Sequence, residues 1–306
     1  MALAFADLAK SLDLFEVTRD HTRAGILEEA LIQLANQKDS HFGQVVILAG
    51  GAGSGKGTVL KHLIDVKGKV FDVDELKSWM PRIGEWRKAL QKALPNADLD
   101  SNYLNTPENV KAAHQVAVDL GLTKRREGAM FTSIKLADPA RKPNLIFDVT
   151  LKELKKLDTI VSNVTELGYD KKNIHIVWVL TNLTVAVENN RGRPRVVPED
   201  ILIATHEGVS NSFVDLLKMG QQLQARIDGN IVLAFNTRNF VDSSKSDVKI
   251  VDNGKGGEYV DKAWYVFIKY RNQPLLSFND LKKEVREKIL QDVPQSTLKK
   301  WQELDK

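Results

Sequence analysis

The stretch that decides the fold of this chain is QVVILAGGAGSGKGTVLKHLIDV, residues 44–66. Its first six residues form a short apolar run rich in β-branched side chains, which is typical of a strand buried in a parallel sheet. Its last eight residues have the apolar spacing of a helix. The glycine-rich turn between them therefore lies at the carboxyl end of a strand, where open α/β sheets bind their ligands.

This turn, GGAGSGKGT at Gly50–Thr58, matches the first seven positions of the Walker A pattern. Glycines let several backbone N–H groups point inward, and the following helix adds its positive amino end, so the turn predicts a site for the phosphates of ATP. Lys56 supplies a point charge to the β- and γ-phosphates. The residues expected to bind the nucleotide are Gly51, Ala52, Gly53, Ser54, Gly55, Lys56, Gly57 and Thr58.

The turn departs from the Walker A pattern at one position. Gly57 stands where serine or threonine normally follows the lysine, so the first hydroxyl comes at Thr58. Thr58 is thus a candidate ligand for Mg²⁺, the alternative being a contact to phosphate only. A glycine-rich turn that binds nothing is the other interpretation, and the strand before the turn and the helix after it disfavour that interpretation.

The rest of the chain continues the alternation of strands and helices. Apolar runs predict strands at 69–73, 144–149, 173–180 and 230–235, and helix signals begin at Thr106-Pro107-Glu108, Leu151 and Pro198-Glu199-Asp200. The fold class predicted is α/β, a P-loop NTPase-type parallel sheet with helices on both faces. The expected organisation is an N-terminal helical segment at 1–40, a core at 41–240 and a C-terminal β/α extension at 241–306. That extension has strand patterns at 248–251 and 264–270 and a helix pattern near 280–291.

Acidic residues follow two of the predicted strands. The segment Asp72-Val73-Asp74-Glu75 comes after the second strand, and Asp148 comes near the end of the third. An aspartate can orient the hydroxyl that receives a phosphoryl group, so Asp74 is a candidate catalytic residue, although Asp74-Glu75 also suits the first turn of a helix. Asp148 and Asp72 are candidate Mg²⁺ partners because a metal-binding aspartate often follows an apolar strand in such proteins.

A segment with three alternate arginines follows the fourth predicted strand. Arg191, Arg193 and Arg195 are separated by glycine and proline, which disfavour a helix there. A lid that closes over ATP and neutralises the transferring phosphoryl group is one interpretation, and a basic surface loop is the other. His206, on the next helix, receives no catalytic role, since a lone histidine is usually structural.

Composition limits the other possibilities. The chain of 306 residues has no cysteine, which excludes disulfides and thiolate metal sites and fits a cytoplasmic location. No apolar run approaches the roughly 18–20 residues of a membrane span, so no membrane partner is expected. The net charge of +4 does not by itself indicate nucleic-acid binding, but basic residues cluster at 124–142 and 191–195. Nucleic acid therefore stays a candidate partner.

Four segments resemble, in order, the zeta-toxin-like branch of P-loop kinases, which is itself similar to polynucleotide kinases. They are VVILAGGAGSGKGT, FDVDELK, LIFDVT and RGRPRVVPEDIL, and only the first is highly specific. The resemblance implies a kinase that moves the γ-phosphate of ATP to a hydroxyl of a small molecule, a nucleotide sugar or a nucleic acid. It implies further that Asp74 acts on that hydroxyl, that Arg191, Arg193 and Arg195 form the arginine-bearing segment, and that Asn236 and Thr237 resemble an adenine-holding loop.

The segment at 78–106 is close in sequence to Asp74 and holds aromatic and basic residues, among them Trp79, Trp86, Arg87 and Tyr103. Stacking of an acceptor base or sugar is one role for them, and core packing is slightly favoured. Three functions are therefore compared: a small-molecule or nucleotide-sugar kinase, a kinase acting on DNA or RNA including modified bases, and a non-catalytic ATP-dependent switch. The acidic residues beside the loop favour a kinase, because a switch needs no group on the acceptor side.

Overall fold

The computed structural model describes residue 34 and the ranges 42–181, 183–193, 195–236, 249–252, 258–261 and 265–275. The strands are β1 Val45–Ala49, β2 Lys69–Asp72, β3 Leu145–Val149, β4 Ile174–Thr181, β5 Ile231–Asn236, β6 Lys249–Asp252, β7 Glu258–Asp261 and β8 Tyr265–Lys269. The predicted N-terminal helical segment and the predicted helix near 280–291 lie outside the described residues, apart from Leu34.

The helices in the described ranges are α1 Lys56–His62, α2 Val73–Trp79, α3 Gly84–Ala93, α4 Pro107–Asp119, α5 Leu122–Lys135, α6 Leu154–Glu166, α7 Leu183–Arg191, α8 Glu199–Lys218 and α9 Gln222–Arg226. Short 3₁₀ turns lie at Met80–Arg82, Tyr103–Asn105, Pro139–Arg141 and Lys171–Asn173. None of these helices combines the length and apolar character that crossing a membrane requires.

The sheet has the order β2-β3-β1-β4-β5-β8, and the first five strands in this order run parallel. β8 pairs antiparallel with β5, so the chain beyond residue 241 supplies an edge strand to the central sheet. β6 and β7 form a separate two-stranded ribbon. The predicted fold class, a P-loop NTPase-type α/β sheet, is confirmed, and β1 lies between β3 and β4 with the glycine-rich turn at its carboxyl end.

Both faces of the central sheet are buried, as continuous apolar strands require. Val45, Ile47 and Ala49 of β1 join the core on the side of α5, α6 and α8, whereas Val46 and Leu48 join the core that includes α1. A third apolar cluster is separate from these two and is formed by α2, α3, α4 and their connections. The insertion between β2 and β3 therefore builds its own small core beside the sheet.

Two boundaries differ from the sequence-based predictions. The helix predicted from Leu151 begins at Leu154, because buried Leu151 takes a φ of 49°, which a right-handed helix does not allow. A helix was not predicted before the arginine segment, yet α7 extends to Arg191. Glycine and proline end this helix but do not prevent it, because they lie after its last residue.

A fully buried histidine in β4 makes the stability of this core dependent on pH. His175 Nδ1 accepts a hydrogen bond from Asn230 N (3.0 Å), and Nε2 lies 2.9 Å from Gln44 Oε1. Burial lowers the pKa of His175 from its usual 6.5 to about 3, and the charges of Arg271 and Lys269 add to the effect. The neutral ring is therefore the form that the folded protein holds.

Acidification from pH 6.5 to 5 should destabilise the wild type more than a His175→Gln variant. Because the folded-state pKa lies below the unfolded-state pKa, the stabilising contribution is present above 6.5 and is lost as the pH falls toward 3. The difference in slope should be roughly 1.4 kcal/mol per pH unit. Urea unfolding at several pH values measures it, and equal slopes for the two proteins would contradict the prediction.

Candidate functional site

The glycine-rich loop between β1 and α1 packs closely against α7 and α8, which lie on its outer side. Gly53 has a φ of 73°, and a Cβ there would lie 2.2 Å from Ala186 O of α7. A Cβ at Gly51 would lie 2.5 Å from the ring of His206 on α8. Glycine is required at both positions because α7 and α8 approach the backbone too closely for any side chain.

Lys56 begins α1 and turns back over the loop. Its Nζ donates hydrogen bonds to Gly50 O (2.8 Å) and Gly51 O (3.2 Å) and lies 3.7 Å from Asp148 Oδ1 on β3. The ammonium group thus lies between the loop and the carboxyl end of β3. A phosphate held by the loop N–H groups would meet this charge.

Three side chains outside the loop donate hydrogen bonds to its carbonyl groups. They are Thr181, Asn189 and His206. Burial lowers the pKa of His206, so its ring is neutral at pH 7, and its Nε2 carries the proton because a carbonyl oxygen only accepts. The prediction gave His206 no catalytic role and treated it as structural, but nothing in its local sequence indicates this contact, which joins residues far apart in the chain.

Asp72 and Asp148 are directly paired in the register of β2 and β3. Asp72 is the N-cap of α2, and its Oδ1 accepts a hydrogen bond from Asp74 N at 2.8 Å. Burial raises the pKa of Asp148; Lys56 opposes this shift, and the charges of Asp72 and Asp74 add to it. The prediction that Asp74-Glu75 forms the acidic first turn of a helix is confirmed, with Asp72 as the cap.

Asp74 is held by two cations. Lys77 Nζ donates to Asp74 Oδ1 at 2.8 Å, and Arg195 Nη2 donates to Asp74 Oδ2 at 2.6 Å. Burial by itself raises the pKa of Asp74, but the charges and hydrogen bonds of Arg195 and Lys77 outweigh it and lower the pKa to about 2. The carboxylate is therefore ionised at any ordinary pH, and each oxygen still has a lone pair for a further donor.

The three arginines of the segment after α7 have different surroundings. Arg195 is bound to Asp74 at the site. Desolvation and the charge of Arg195 lower the pKa of Arg193, while Asp74, Asp148 and Asp72 raise it, so Arg193 lies within electrostatic range of all three acids. Arg191 instead pairs with exposed Glu199 at 3.4 Å. The structure binds Arg195 to Asp74, places the exposed Arg193 within range of the charges of the acids, and leaves Arg191 paired with Glu199 on the surface.

Arg126 of α5 supports the segment that carries Asp74. Its guanidinium donates to Asp72 O at 2.9 Å and to Glu75 Oε2 at 2.7 Å, and it lies 5.2 Å from the centroid of the Trp79 ring. Glu75 is thereby engaged by Arg126, whereas Asp74 is engaged by Lys77 and Arg195. The interpretation of 124–142 as a solvated or nucleic-acid-binding face does not apply to Arg126, which makes internal contacts.

The aromatic and basic residues at 78–106 divide between core and surface. Tyr103 is buried in the cluster of the insertion and donates its hydroxyl hydrogen to Lys77 O. Trp86 packs partly buried against the same cluster, and Arg87 forms two hydrogen bonds with Asp100. Trp79 is exposed, with 40% of its surface accessible. Core packing is confirmed for Tyr103, whereas Trp79 lies at the surface.

The position of the loop after β1, together with the parallel order of β2, β3, β1, β4 and β5, decides the type of fold. The fold is of the P-loop NTPase type. No protein-family model matches the sequence, and comparison with curated proteins finds no match.

Two groups of solved structures are similar to the chain. One belongs to the PezAT chromosomal toxin–antitoxin system of Streptococcus pneumoniae, with 14% identity, a TM-score of 0.38, and 72% of this chain and 75% of that chain covered. Another is the AvrRxo1-ORF1:-ORF2 structure with ATP, with 11% identity, a TM-score of 0.44, and 97% and 82% covered. The structure of the same pair with sulphate ions has 13% identity, a TM-score of 0.41 and the same coverage.

The residues predicted to hold Mg²⁺ offer hydroxyl and carboxylate oxygens. Thr58 is half-buried in the first turn of α1, and Asp148 and Asp72 are paired on adjacent strands, with Asp148 3.7 Å from Lys56 Nζ of α1. Hydroxyl and carboxylate oxygens suit this ion, which takes one or two carboxylates and completes its coordination with phosphate and water. In the described ranges, no group of three or more histidines or acidic residues could hold a metal by itself. Thr58, Asp148 and Asp72 therefore fit a Mg²⁺ ion whose remaining ligands come from the phosphates of a bound nucleotide and from water.

The predicted adenine-holding residues lie at the limit of the described chain. Asn236 is the last residue of β5, and Thr237 lies outside the described residues. β1, β4 and β5 run parallel, with β4 between the other two. Asn236, at the end of β5, therefore lies at the same carboxyl edge of the sheet as the glycine-rich loop.

Proposed function

We propose that this chain is a cytoplasmic ATP-dependent phosphotransferase that moves the γ-phosphate of ATP to a hydroxyl of a small molecule or nucleotide sugar. The observation that carries the proposal is the arrangement around Asp74. A carboxylate held ionised by Lys77 and Arg195 lies at the same sheet edge as Lys56 and the glycine-rich loop. A protein that uses the nucleotide only as a switch has no acceptor hydroxyl, so it would not need the Asp74 carboxylate.

The loop N–H groups and Lys56 would bind the β- and γ-phosphates, and Arg195 and Arg193, near Asp74, would supply further positive charge to the phosphoryl group. Thr58 and Asp148, with Asp72 adjacent, are the residues that would hold Mg²⁺. When bound with ATP, this ion neutralises charge on the phosphate oxygens. Binding of the nucleotide would draw Lys56 away from Gly50 O and Gly51 O, because phosphate is the stronger acceptor.

In the reaction, a bond forms between the acceptor oxygen and the γ-phosphorus as the bond from that phosphorus to the ADP oxygen breaks. Asp74 accepts a hydrogen bond from the acceptor hydroxyl and orients it for in-line attack. A pKa near 2 makes Asp74 a weak base, which suits a loose transition state in which the hydroxyl keeps its proton until late. The proton then leaves through Asp74 to solvent.

The test is transfer of label from γ-labelled ATP in the presence of Mg²⁺, with separate pools of nucleotide sugars, nucleosides, and single- and double-stranded DNA and RNA. Wild-type protein should label one small-molecule pool. Arg193→Ala should lower the rate about a hundredfold by removing charge from the transition state. Arg191→Ala is the matched control and should change the rate less than about threefold, since an exposed ion pair contributes little.

Label entering only DNA or RNA would replace the small-molecule acceptor by a nucleic acid. ATP binding without label in any pool would favour the nucleotide switch. Equal losses in the Arg193 and Arg191 variants would contradict the assignment of Arg193, and not Arg191, to the site.

A further inference from the structure

The carbonyl groups of three consecutive loop residues each accept a hydrogen bond from a buried side chain outside the loop. The donor–acceptor pairs are His206 Nε2 to Ala52 O (2.7 Å), Asn189 Nδ2 to Gly53 O (3.1 Å) and Thr181 Oγ1 to Ser54 O (2.8 Å). The donors come from three different elements, α8, α7 and the end of β4. The outer side of the loop is therefore held at three successive peptides.

These hydrogen bonds control the direction of the loop N–H groups. The C=O of one residue and the N–H of the next belong to one planar peptide and point in opposite directions. Holding the carbonyls of Ala52, Gly53 and Ser54 therefore sets the directions of the following N–H groups, of which that of Ser54 donates to Gly51 O at 3.3 Å. Anion binding by a glycine-rich loop depends on such orientation, because the N–H groups are its main donors.

The hydrogen bonding of the Asn189 side chain indicates that this residue acts as a donor: its amide nitrogen is paired and its amide oxygen is not. Asn189 is 8% exposed, and its Oδ1 is buried with no hydrogen-bond partner among the described residues. A buried acceptor without a partner is unfavourable, and an apolar side chain at this position would avoid it. The contact of Nδ2 with Gly53 O is the interaction that offsets this cost.

We infer that Thr181, Asn189 and His206 are positioning residues that hold the loop in its phosphate-binding form. They act on the nucleotide through the loop peptides and do not contact it. The inference deepens the proposed function, on which it rests only for the binding of nucleotide phosphate by the loop.

The test uses variants that separate the donor from the packing. Thr181→Val, Asn189→Leu and His206→Leu remove a donor, whereas Thr181→Ser and His206→Gln keep one near the same position. Kd values are measured calorimetrically for ATP, for inorganic tripolyphosphate and for adenosine, and urea unfolding checks that each variant is folded. Thr181→Val preserves the shape of the side chain, so it remains informative if a larger change prevents folding.

Each loss of a donor should weaken binding of ATP and tripolyphosphate roughly tenfold, and binding of adenosine should not change. Thr181→Ser and His206→Gln should bind ATP within about threefold of wild type. Folded donor-removing variants that bind ATP as the wild type does would overturn the inference. So would equal losses in the donor-keeping variants, since packing alone would then explain them.

The result of these binding measurements can be distinguished from the result of the labelled-transfer experiment. If ATP binding follows the expected pattern but no acceptor is labelled, the kinase proposal fails and the positioning role stands. If the wild type binds neither ATP nor tripolyphosphate, the loop is no phosphate site and both proposals fail.

Discussion

Substitution of Lys56 by methionine should lower the rate of phosphoryl transfer about a thousandfold, with a smaller effect on ATP affinity. Methionine keeps the length of the side chain and removes its charge. In the structure Lys56 Nζ contacts Gly50 O and Gly51 O and lies 3.7 Å from Asp148. The charge is therefore next to the position where the β- and γ-phosphates would lie, and it is needed most when charge shifts toward the leaving ADP oxygen.

The measurement is the single-turnover rate of label transfer at saturating ATP, with the ATP Kd measured separately. Lys61→Met is the matched control, because Lys61 lies on the same helix and is exposed. This control should transfer phosphate at the rate of the wild type. A Lys56→Met protein with an unchanged rate would contradict the assignment of the loop as the phosphate site.

Substitution of Asp74 by asparagine should lower the transfer rate by a factor of about 1,000, while ATP still binds. Asparagine has nearly the same shape, but it lacks the charge that holds Arg195 and Lys77 in place. It also loses the strong acceptor that would orient the incoming hydroxyl. We expect the loss in kcat, because the interaction concerns the acceptor hydroxyl and not the nucleotide.

Glu75→Gln is the control for the Asp74 substitution. Glu75 follows Asp74 directly but is bound to Arg126 of α5 and not to Lys77 or Arg195, so the loss of its charge should leave transfer largely intact. Since the pKa of Asp74 is about 2, the wild-type rate should show no fall between pH 8 and 5 from protonation of this group. A loss that is equal in both variants, measured by single-turnover transfer and checked by thermal unfolding, would argue against a special role for Asp74.

The local features of this fold could be predicted from the sequence because they depend on neighbouring residues. The glycine-rich turn requires backbone conformations that glycine allows, and its place between an apolar run and a helix pattern located it correctly. The five parallel strands were predicted to within one or two residues, because buried strands are continuous apolar runs. The helix α7 was missed because Leu183–Arg191 has a weak apolar pattern and is followed by residues that end helices.

The sequence by itself therefore determined the fold class, the position of the glycine-rich turn and the acids at the strand ends. Only the tertiary structure decided which charged side chains meet: Arg195 binds Asp74 across 121 residues, whereas Arg191 in the same segment does not reach the acids. It alone brought His206 to Ala52 across 154 residues. Glycine turns and apolar runs are local properties, but contacts between distant side chains depend on the order of the strands and on the packing of helices against them.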